Sequence, residues 1–215
     1  MKIAVLGANR RLGAKIVTDA EAQGIGVISL VQDPLNLQGS GPVVLKDYQD
    51  LTAADLAGCH YVVDALSFPE IGSFSTDLLP LWKLVELLRG TSCKLLCAGS
   101  CCCLYTDEKR STLVYTNQCL WQDQPRDGDR IRLKVNAYQR LKAVRDVDWA
   151  LLCPPLIVDD KNYDKGSGSW EFSGDVLPVG LDGSSRITIG DFAKACVELL
   201  KRGFAPGSCL SVRAV

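Results

Sequence analysis

The first thirteen residues constrain the fold more than any other part of the chain. An apolar run, Ile3-Ala4-Val5-Leu6, leads directly into the loop Gly7-Ala8-Asn9-Arg10-Arg11-Leu12-Gly13 and then into a helical pattern. A strand, a glycine-bounded turn and a helix N-terminus together form a cradle for an anion. The first amides of a helix have no acceptor inside the helix, and its dipole is positive at that end. The sequence therefore predicts a dinucleotide whose pyrophosphate rests on this loop.

The loop departs at one position from the pattern Gly-x-x-Gly-x-x-Gly, because Arg10 stands at the middle glycine. Arg10 either binds a phosphate through its guanidinium or blocks the close approach that a glycine allows. A tight turn without a ligand is the simpler alternative, and we expect a bulky side chain at Gly13 to block a dinucleotide without unfolding the protein. The loop residues expected to bind the cofactor are Gly7, Asn9, Arg10, Arg11, Leu12 and Gly13.

Size and charge exclude several classes of protein. With 215 residues, 47% of them hydrophobic, the chain suits a single α/β domain over residues 1–215. Its 24 basic and 25 acidic residues leave a net charge of -1 without a basic tract, so nucleic acid is not an expected partner. We see neither a secretion signal nor an apolar run near the roughly 18 residues of a membrane span. We expect a cytoplasmic protein without a membrane partner, and the oligomeric state stays open.

The chain has ten cysteines, many for its length. They stand in apolar segments at irregular spacings, which predicts buried, reduced thiols and no disulfide framework. The run Cys101-Cys102-Cys103 is unusual, but no Cys-x-x-Cys pair or histidine cluster accompanies it, so we expect no metal site. A redox-active role is an alternative, although no cation near the run in sequence would lower a thiol pKa.

Short apolar segments alternate with helical patterns along the chain. They predict strands at 2–6, 26–31, 42–45, 60–66, 93–98 and 148–153, and helices at 12–23, 52–57, 75–90, 131–145 and 189–202. This alternation predicts an α/β fold, a doubly wound parallel sheet of the Rossmann type with a small C-terminal region on the substrate side. The polar stretch 105–130 is expected to form a lid over the carboxyl ends of the strands, where ligands bind in such folds.

Several segments, in the same order, resemble the atypical short-chain dehydrogenase/reductases. The resemblance is to their small NAD(P)H-binding members, known as NADH-flavin reductase-like or NmrA-like proteins, and it covers nearly the whole chain. It is carried by Val5–Val17, Leu45–Asp47 with Asp50-Leu51, Lys94–Tyr105, Val147–Pro155 and Gly183–Ala195. The resemblance implies the fold, whereas a fold of this kind serves many reactions.

The resemblance also implies the rest of the cofactor site. An aspartate at the end of the third strand of the family usually reaches the adenine, and Asp47 stands there. NADP-using relatives usually carry an arginine where this chain has Gln32, and the neighbouring Asp33 is able to bind a ribose diol instead. The two arginines of the first loop favour NADP over NAD. The further residues expected at the cofactor are Ala65, Leu66 and Ser67 at the end of the fourth strand, with Ser100, Lys134 and Pro154.

The candidate catalytic residues are Lys134, Cys103 and Tyr138. Tyr138 and Lys142 have the Tyr-x-x-x-Lys spacing that places a phenol and an ammonium on one helix face. Counting back from Asp148 instead places the lysine of the family at Lys134, and the helical register then places Tyr138 in the core. Cys103 takes the place of the serine of the family, with Ser100 as an alternative donor, because a thiol is a poor hydrogen-bond donor.

These observations predict an NAD(P)H-binding oxidoreductase that passes a hydride to a small-molecule acceptor, namely a flavin, a quinone or a small carbonyl compound. In that reaction the protein mainly positions the donor and the acceptor. The alternative is a noncatalytic, NmrA-like sensor of dinucleotides. A nucleotide-sugar epimerase or dehydratase agrees less well, because such enzymes normally need the tyrosine and a larger C-terminal region.

Overall fold

The computed structural model describes residues 1–66, 79–117, 128–159 and 166–215. In these ranges the helices are α1 (Arg11–Ala22), α2 (Pro80–Leu88), α3 (Gly128–Leu141) and α4 (Ile189–Arg202). The strands are β1 (Lys2–Leu6), β2 (Gly26–Val31), β3 (Val43–Leu45), β4 (Tyr61–Asp64), β5 (Lys94–Ala98), β6 (Trp149–Cys153), β7 (Ile157–Asp159), β8 (Trp170–Ser173), β9 (Arg186–Thr188) and β10 (Ser208–Ala214). None of the described helices is long and apolar enough to cross a membrane.

The main sheet has the strand order β3-β2-β1-β4-β5-β6-β10-β8. Its strands are parallel except at one edge, where β8 pairs antiparallel with β10. The chain winds outward in one direction from β1 to β3 and in the other from β4 to β6. The order therefore reverses between β1 and β4, which is where doubly wound sheets bind ligands at the carboxyl ends of their strands. The predicted doubly wound, Rossmann-type sheet is confirmed.

The sheet is covered on both faces, and successive strand residues belong to opposite cores. In β5, Leu95 and Cys97 pack in the layer that contains α2 and α3, whereas Leu96 and Ala98 pack in the layer of α1 and α4. Burial on both faces explains why the central strands are apolar throughout rather than alternating.

Most of the predicted elements are present in the structure. The six predicted strands correspond to β1 to β6, with ends that differ by at most two residues. The predicted helix at 189–202 is α4, while α3 lies three to four residues earlier than predicted. The short helix predicted at 52–57 is a 3-10 turn at Ala53–Leu56. Of the helix predicted at 75–90, residues 75–78 lie outside the described residues.

The C-terminal third contains the strands that the sequence did not predict. β7 and β9 form a separate parallel pair, and β8 and β10 extend the main sheet. The predicted lid is described up to residue 117 and is anchored to the fold at two points. Val114 is completely buried, and Tyr105 forms isolated bridges with Leu113 and Val176. Residues 107–112 between these two points are exposed, and residues 118–127 lie outside the described residues.

Candidate functional site

The loop between β1 and α1 is closely packed against the first turn of the helix. Gly7 has a φ of +74°, a conformation that favours glycine, and its amide donates a hydrogen bond to the carbonyl of Leu30. A Cβ at Gly13 would lie 2.1 Å from the carbonyl oxygen of Gly7. This close approach argues against the expectation that a bulky residue at Gly13 leaves the fold undisturbed, because even one methyl group would require the loop to shift.

The N-terminus of α1 receives no side-chain cap from the residue that precedes it. Arg10, the residue before the helix, makes no capping hydrogen bond with its side chain, and the first turn has no acidic residue. The first amides thus meet the requirement for an anion site. Arg10 itself has φ -89° and ψ 160°, which any residue adopts. The arginine at the middle position of the loop therefore does not strain the backbone.

A cleft rich in basic residues lies beside this helix N-terminus. It has a volume of about 640 Å³, and its cations are Arg10, Arg11 and Lys15. The remaining lining residues are Asn9, Ala14, Thr18, Asn36 and Gln38, so no acidic residue lines it. The cleft is suited to an anionic group such as a phosphate.

Two pairs of polar residues connect the strand ends on this side. Nε2 of Gln32 donates to Oδ2 of Asp47 over 3.2 Å, so the structure brings these two predicted cofactor residues together. Nδ2 of Asn9 donates to Oδ1 of Asp33 over 3.0 Å, and the amide of Leu35 donates to the same oxygen. Oδ1 of Asn9 is buried without a hydrogen-bond partner. The β1–α1 loop is thereby tied to the end of β2 and presents one acceptor without a partner.

A mainly apolar cavity of about 310 Å³ lies on the other side of the first turn of α1. Leu12 forms one of its walls, and Lys134 is the cation among its lining residues. Four predicted cofactor residues come together here, namely Leu12, Ser100, Lys134 and Pro154. Arg11 and Leu12 diverge by about 100° on the helix, so the basic cleft and the apolar cavity flank the same helix N-terminus. The other lining residues are Ala98, Gly99, Cys101, Pro155, Leu156, Val158, Ile189 and Phe192.

The three consecutive cysteines form a 3-10 turn whose side chains point in different directions. Oγ of Ser100 accepts a hydrogen bond from the amide of Cys102 and caps the turn. Successive side chains of a 3-10 turn are about 120° apart. Cys101 accordingly lines the apolar cavity, whereas Cys103 is buried and does not line it. Cys103, the residue expected in place of the serine of the family, therefore does not reach this cavity, and Cys101 is the thiol that does.

Tyr138 is buried in the core, as its helical register predicts. Its hydroxyl donates to the carbonyl oxygen of Ala98 over 3.1 Å, and burial raises its pKa well above the usual value. Lys142 does not accompany it, because Nζ of Lys142 lies 5.7 Å from the centre of the Tyr105 ring. Tyr138 is absent from the lining of the apolar cavity, so the Tyr-x-x-x-Lys pair does not converge on it. The structure therefore argues against Tyr138 as a proton donor to a ligand in this cavity.

Asp64, the last residue of β4, was missed by the sequence analysis. It is 8% exposed, and its Oδ1 accepts a hydrogen bond from the amide of Leu66 over 3.1 Å. Burial raises its pKa, and the charge of Lys134 acts in the opposite direction. The available signal was a carboxylate that ends an otherwise apolar strand at the switch point, next to Leu6 at the end of β1.

The predicted residues after β4 differ in what they reach. Ala65 is completely buried in the core, so only its backbone is available to a ligand. Leu66 is half-buried and packs on the loop between β1 and α1. Its Cδ2 atom is 2.7 Å from the point where a Cβ would lie if Gly7 had a side chain. Ser67 lies outside the described residues.

The strand order, the switch point and the loop before α1 define a protein of the Rossmann-like, NAD(P)-binding fold class. No protein-family model matches the chain. It is 30% identical to a protein from Lactobacillus casei and 25% identical to a candidate NADH-flavin reductase from Streptococcus pneumoniae. Both matches cover the whole of both chains, with TM-scores of 0.84 and 0.83. It is also 26% identical over 207 residues to the uncharacterized protein YwnB of Bacillus subtilis, which covers 94% of this chain and 92% of YwnB. The chain belongs to the atypical short-chain dehydrogenase/reductases, among their small NADH-flavin reductase-like members.

Proposed function

We propose that the protein is an NADPH-dependent oxidoreductase that passes a hydride to a flavin, a quinone or a small carbonyl compound. One observation carries the proposal, namely the basic cleft and the apolar cavity on either side of an uncapped helix N-terminus. A dinucleotide matches this arrangement, because its central pyrophosphate suits the helix N-terminus. The pyrophosphate joins an adenosine, for the basic cleft, to a nicotinamide nucleoside, for the apolar cavity. The description of the streptococcal relative as a candidate NADH-flavin reductase supports the same class of reaction.

The charges of the cleft favour NADP over NAD. A 2′-phosphate on the adenosine ribose forms charge-assisted hydrogen bonds with guanidinium and ammonium groups, and Arg10, Arg11 and Lys15 line the cleft. An acidic residue at the end of β2 would instead favour the free ribose diol of NAD. Asp33 is near that position, but its Oδ1 already accepts from Asn9 and from the amide of Leu35.

The residues of the apolar cavity have separate roles in this proposal. Lys134 donates a hydrogen bond to a hydroxyl of the nicotinamide ribose, and Leu12, Pro154 and Phe192 exclude water from the ring. When bound there, the reduced nicotinamide supplies the hydride. The phenol of Tyr138 takes no part, so the acceptor receives its proton from solvent. This requirement suits flavins and quinones best.

A noncatalytic, NmrA-like dinucleotide sensor is the second candidate. One observation favours it, because Tyr138 donates its hydroxyl hydrogen to a backbone carbonyl and neither Tyr138 nor Cys103 lines the cavity. Two of the three groups that would catalyse the reaction in an ordinary short-chain dehydrogenase thus do not line the cavity. A sensor binds the dinucleotide but does not oxidise it, whichever acceptor is supplied.

Calorimetric titration with NADPH, NADH, NADP and NAD tests the proposal. We expect NADPH to bind more tightly than NADH, and Arg11→Ala to weaken NADPH binding by about tenfold or more through the loss of a charge-assisted hydrogen bond. Binding of NADH should hardly change in that variant. Arg132→Ala is the matched control, because Arg132 pairs with Asp129 on the exposed side of α3 and does not line the cleft.

The outcome for catalysis is read separately, from NADPH oxidation with FMN, menadione and a small aldehyde as acceptors. Oxidation with at least one of them supports the oxidoreductase. Binding without oxidation by any of them supports the sensor. If none of the four dinucleotides binds at millimolar concentration, both proposals are wrong.

A further inference from the structure

Asp33 stands just beyond the end of β2, but it does not line the basic cleft. It follows the strand by two residues, close to where a Rossmann-type protein carries an acidic residue that binds the free ribose diol of NAD. Such a carboxylate repels a 2′-phosphate and so selects against NADP. Because Asp33 is absent from the lining of the cleft, its hydrogen bonds indicate a different role.

The carboxylate of Asp33 holds the turn that follows it. Its Oδ1 accepts a hydrogen bond from the main-chain amide of Leu35 over 3.0 Å. An aspartate oxygen that accepts from the amide two residues ahead closes an Asx turn, which restricts the backbone at that point. The same oxygen accepts from Nδ2 of Asn9 over 3.0 Å, and this Nδ2 also donates to the main-chain carbonyl of Asp33 over 3.1 Å. One carboxylate oxygen thus connects the turn to the loop before α1.

The turn brings Asn36 to the basic cleft. Asn36 is exposed and has a φ of +60°, in the left-handed region that asparagine adopts more readily than most residues. It lines the cleft beside the three cations. The amide of an asparagine has two N–H donors, and phosphate oxygens accept hydrogen bonds from such a group. The position of Asn36 therefore adds a neutral donor to the charged ones.

Asn9 gives a second indication that a ligand belongs in this cleft. It lines the cleft and is 9% exposed, and its Oδ1 is buried without a hydrogen-bond partner while Asp33 holds its Nδ2. A buried acceptor of this kind requires a donor. A phosphorylated ribose supplies both kinds of group, because its phosphate accepts hydrogen bonds and its remaining hydroxyl donates one. The cleft thus combines donors for a phosphate with an acceptor for the sugar.

We infer that Asp33 is a positioning residue that supports NADP, because its carboxylate fixes the turn from which the amide of Asn36 donates a hydrogen bond to the 2′-phosphate. The identity of the ligand rests on the proposed function. This role reverses the effect expected of an acid at the end of β2. Removing a repelling carboxylate strengthens the binding of a 2′-phosphate. Removing a positioning one weakens it, since ordering the turn then opposes binding.

Calorimetric titration of the full chain with 2′,5′-ADP and with 5′-AMP tests the role of Asn36. The two ligands differ only in the 2′-phosphate, and neither contains nicotinamide. Asn36→Gly keeps the left-handed backbone and removes the amide. We expect this variant to bind 2′,5′-ADP about tenfold more weakly than the natural protein, with an affinity for 5′-AMP that is the same within about twofold. Unchanged affinity for 2′,5′-ADP overturns the assignment of Asn36.

Two substitutions of Asp33 separate position from charge. Asp33→Asn and Asp33→Ala remove the same charge, but only asparagine keeps an oxygen that is able to accept from Leu35 and Asn9. We expect Asp33→Ala to bind 2′,5′-ADP about fivefold more weakly than Asp33→Asn does. Binding of 5′-AMP should not change, because Nδ2 of Asn9 still donates to the main-chain carbonyl of residue 33.

Asp50→Ala is the matched control, because Asp50 is an exposed aspartate that does not line the cleft. Its loss should leave both affinities unchanged. Equal affinities of the two Asp33 variants for 2′,5′-ADP overturn the positioning role. Tighter binding of 2′,5′-ADP by Asp33→Ala than by the natural protein also overturns it, since the carboxylate then acts by repulsion.

Oxidation of NADPH separates this inference from the proposed function. The expected pattern of 2′,5′-ADP affinities, with no oxidation of NADPH by any acceptor, supports the role of Asp33 and contradicts the oxidoreductase. Oxidation of NADPH by the natural protein, with equal 2′,5′-ADP affinities in the two Asp33 variants, contradicts the role of Asp33 and leaves the proposed function in place. If 2′,5′-ADP does not bind the natural protein at millimolar concentration, the inference is wrong whatever the dinucleotides do.

Discussion

Lys134 and Tyr138 lie one helical turn apart on α3, with different surroundings and different predicted roles. Lys134 lines the apolar cavity, and its Nζ is 5.8 Å from the centre of the Tyr138 ring. We expect Lys134→Ala to weaken NADPH binding by about 10- to 150-fold, because a charge-assisted hydrogen bond to the ribose is worth about 1.5–3 kcal/mol. Calorimetric titration measures the loss, and the melting temperature should hardly change. Unchanged affinity would exclude Lys134 from the site.

Tyr138 has the opposite expected profile. In Tyr138→Phe the carbonyl of Ala98 loses its donor, which costs about 1–3 kcal/mol of unfolding free energy, while the packed ring remains. Turnover of NADPH should be unaffected. A loss of activity by orders of magnitude would instead make Tyr138 and Lys142 the acid and its helper, and would place the protein closer to ordinary carbonyl reductases.

Asp64 links the protonation of a buried carboxyl to stability. Burial raises its folded pKa above the unfolded value of about 3.9, so the folded state holds the proton more tightly. Stability is therefore lost as the pH rises through the window that begins near the unfolded pKa. We expect Asp64→Asn to be more stable than the natural protein at pH 8, with a smaller advantage at pH 4. Denaturant unfolding at the two pH values decides, and an advantage that is larger at pH 4 would contradict this reading.

The close contact between α1 and the loop that precedes it leads to a prediction for Gly13. Alanine favours a helix by about 1 kcal/mol over glycine, yet a Cβ at Gly13 would collide with the carbonyl oxygen of Gly7. We expect Gly13→Ala to lower the unfolding free energy by about 1–3 kcal/mol. The control is Gly26→Ala, where the nearest atom to a new Cβ is 3.8 Å away and the change should stay within about 0.5 kcal/mol. Equal stability of the two variants would show that the loop can move.

The elements that the sequence predicted are those whose pattern is local. β1, β2, β4, β5 and β6 are buried along nearly their whole length, so their apolar runs are visible without a partner strand, whereas β3 is a short and largely exposed edge strand. β8 alternates between half-buried and exposed residues, and β10 contains serine and arginine among its apolar residues. Such strands are defined by the neighbour they pair with. Here β8 and β10 pair with each other, although they are distant in sequence. Local periodicity contains no record of that pairing.

The candidate site shows the same division between local and distant information. The loop from Gly7 to Gly13 is a local motif, and its residues line the basic cleft and the apolar cavity. The direction of each thiol in the cysteine turn depends on a 3-10 geometry that a run of identical residues does not reveal. The cation beside that turn, Lys134, comes from another helix, so no neighbour in sequence indicates the lowered pKa of the Cys102 thiol.

At the scale of the whole molecule, distant parts of the chain share one sheet and one core. β10, near the C-terminus, pairs with β6. Helix α4, from the same part of the chain, packs against α1. We propose from this that residues 1–215 fold as a single domain. Unfolding by heat should then be one transition, with equal calorimetric and van't Hoff enthalpies.

Cofactor binding extends this prediction to function. NADPH at 100 times its dissociation constant adds about 2.7 kcal/mol to stability, because it binds only the folded state. For a chain of this length that corresponds to a rise in melting temperature of roughly 5–10 °C. The whole transition should move, since α1 and α4 both contribute to the apolar cavity and to the common core. Two transitions, of which only one responds to NADPH, would instead divide the chain into a dinucleotide-binding domain and a separate C-terminal unit.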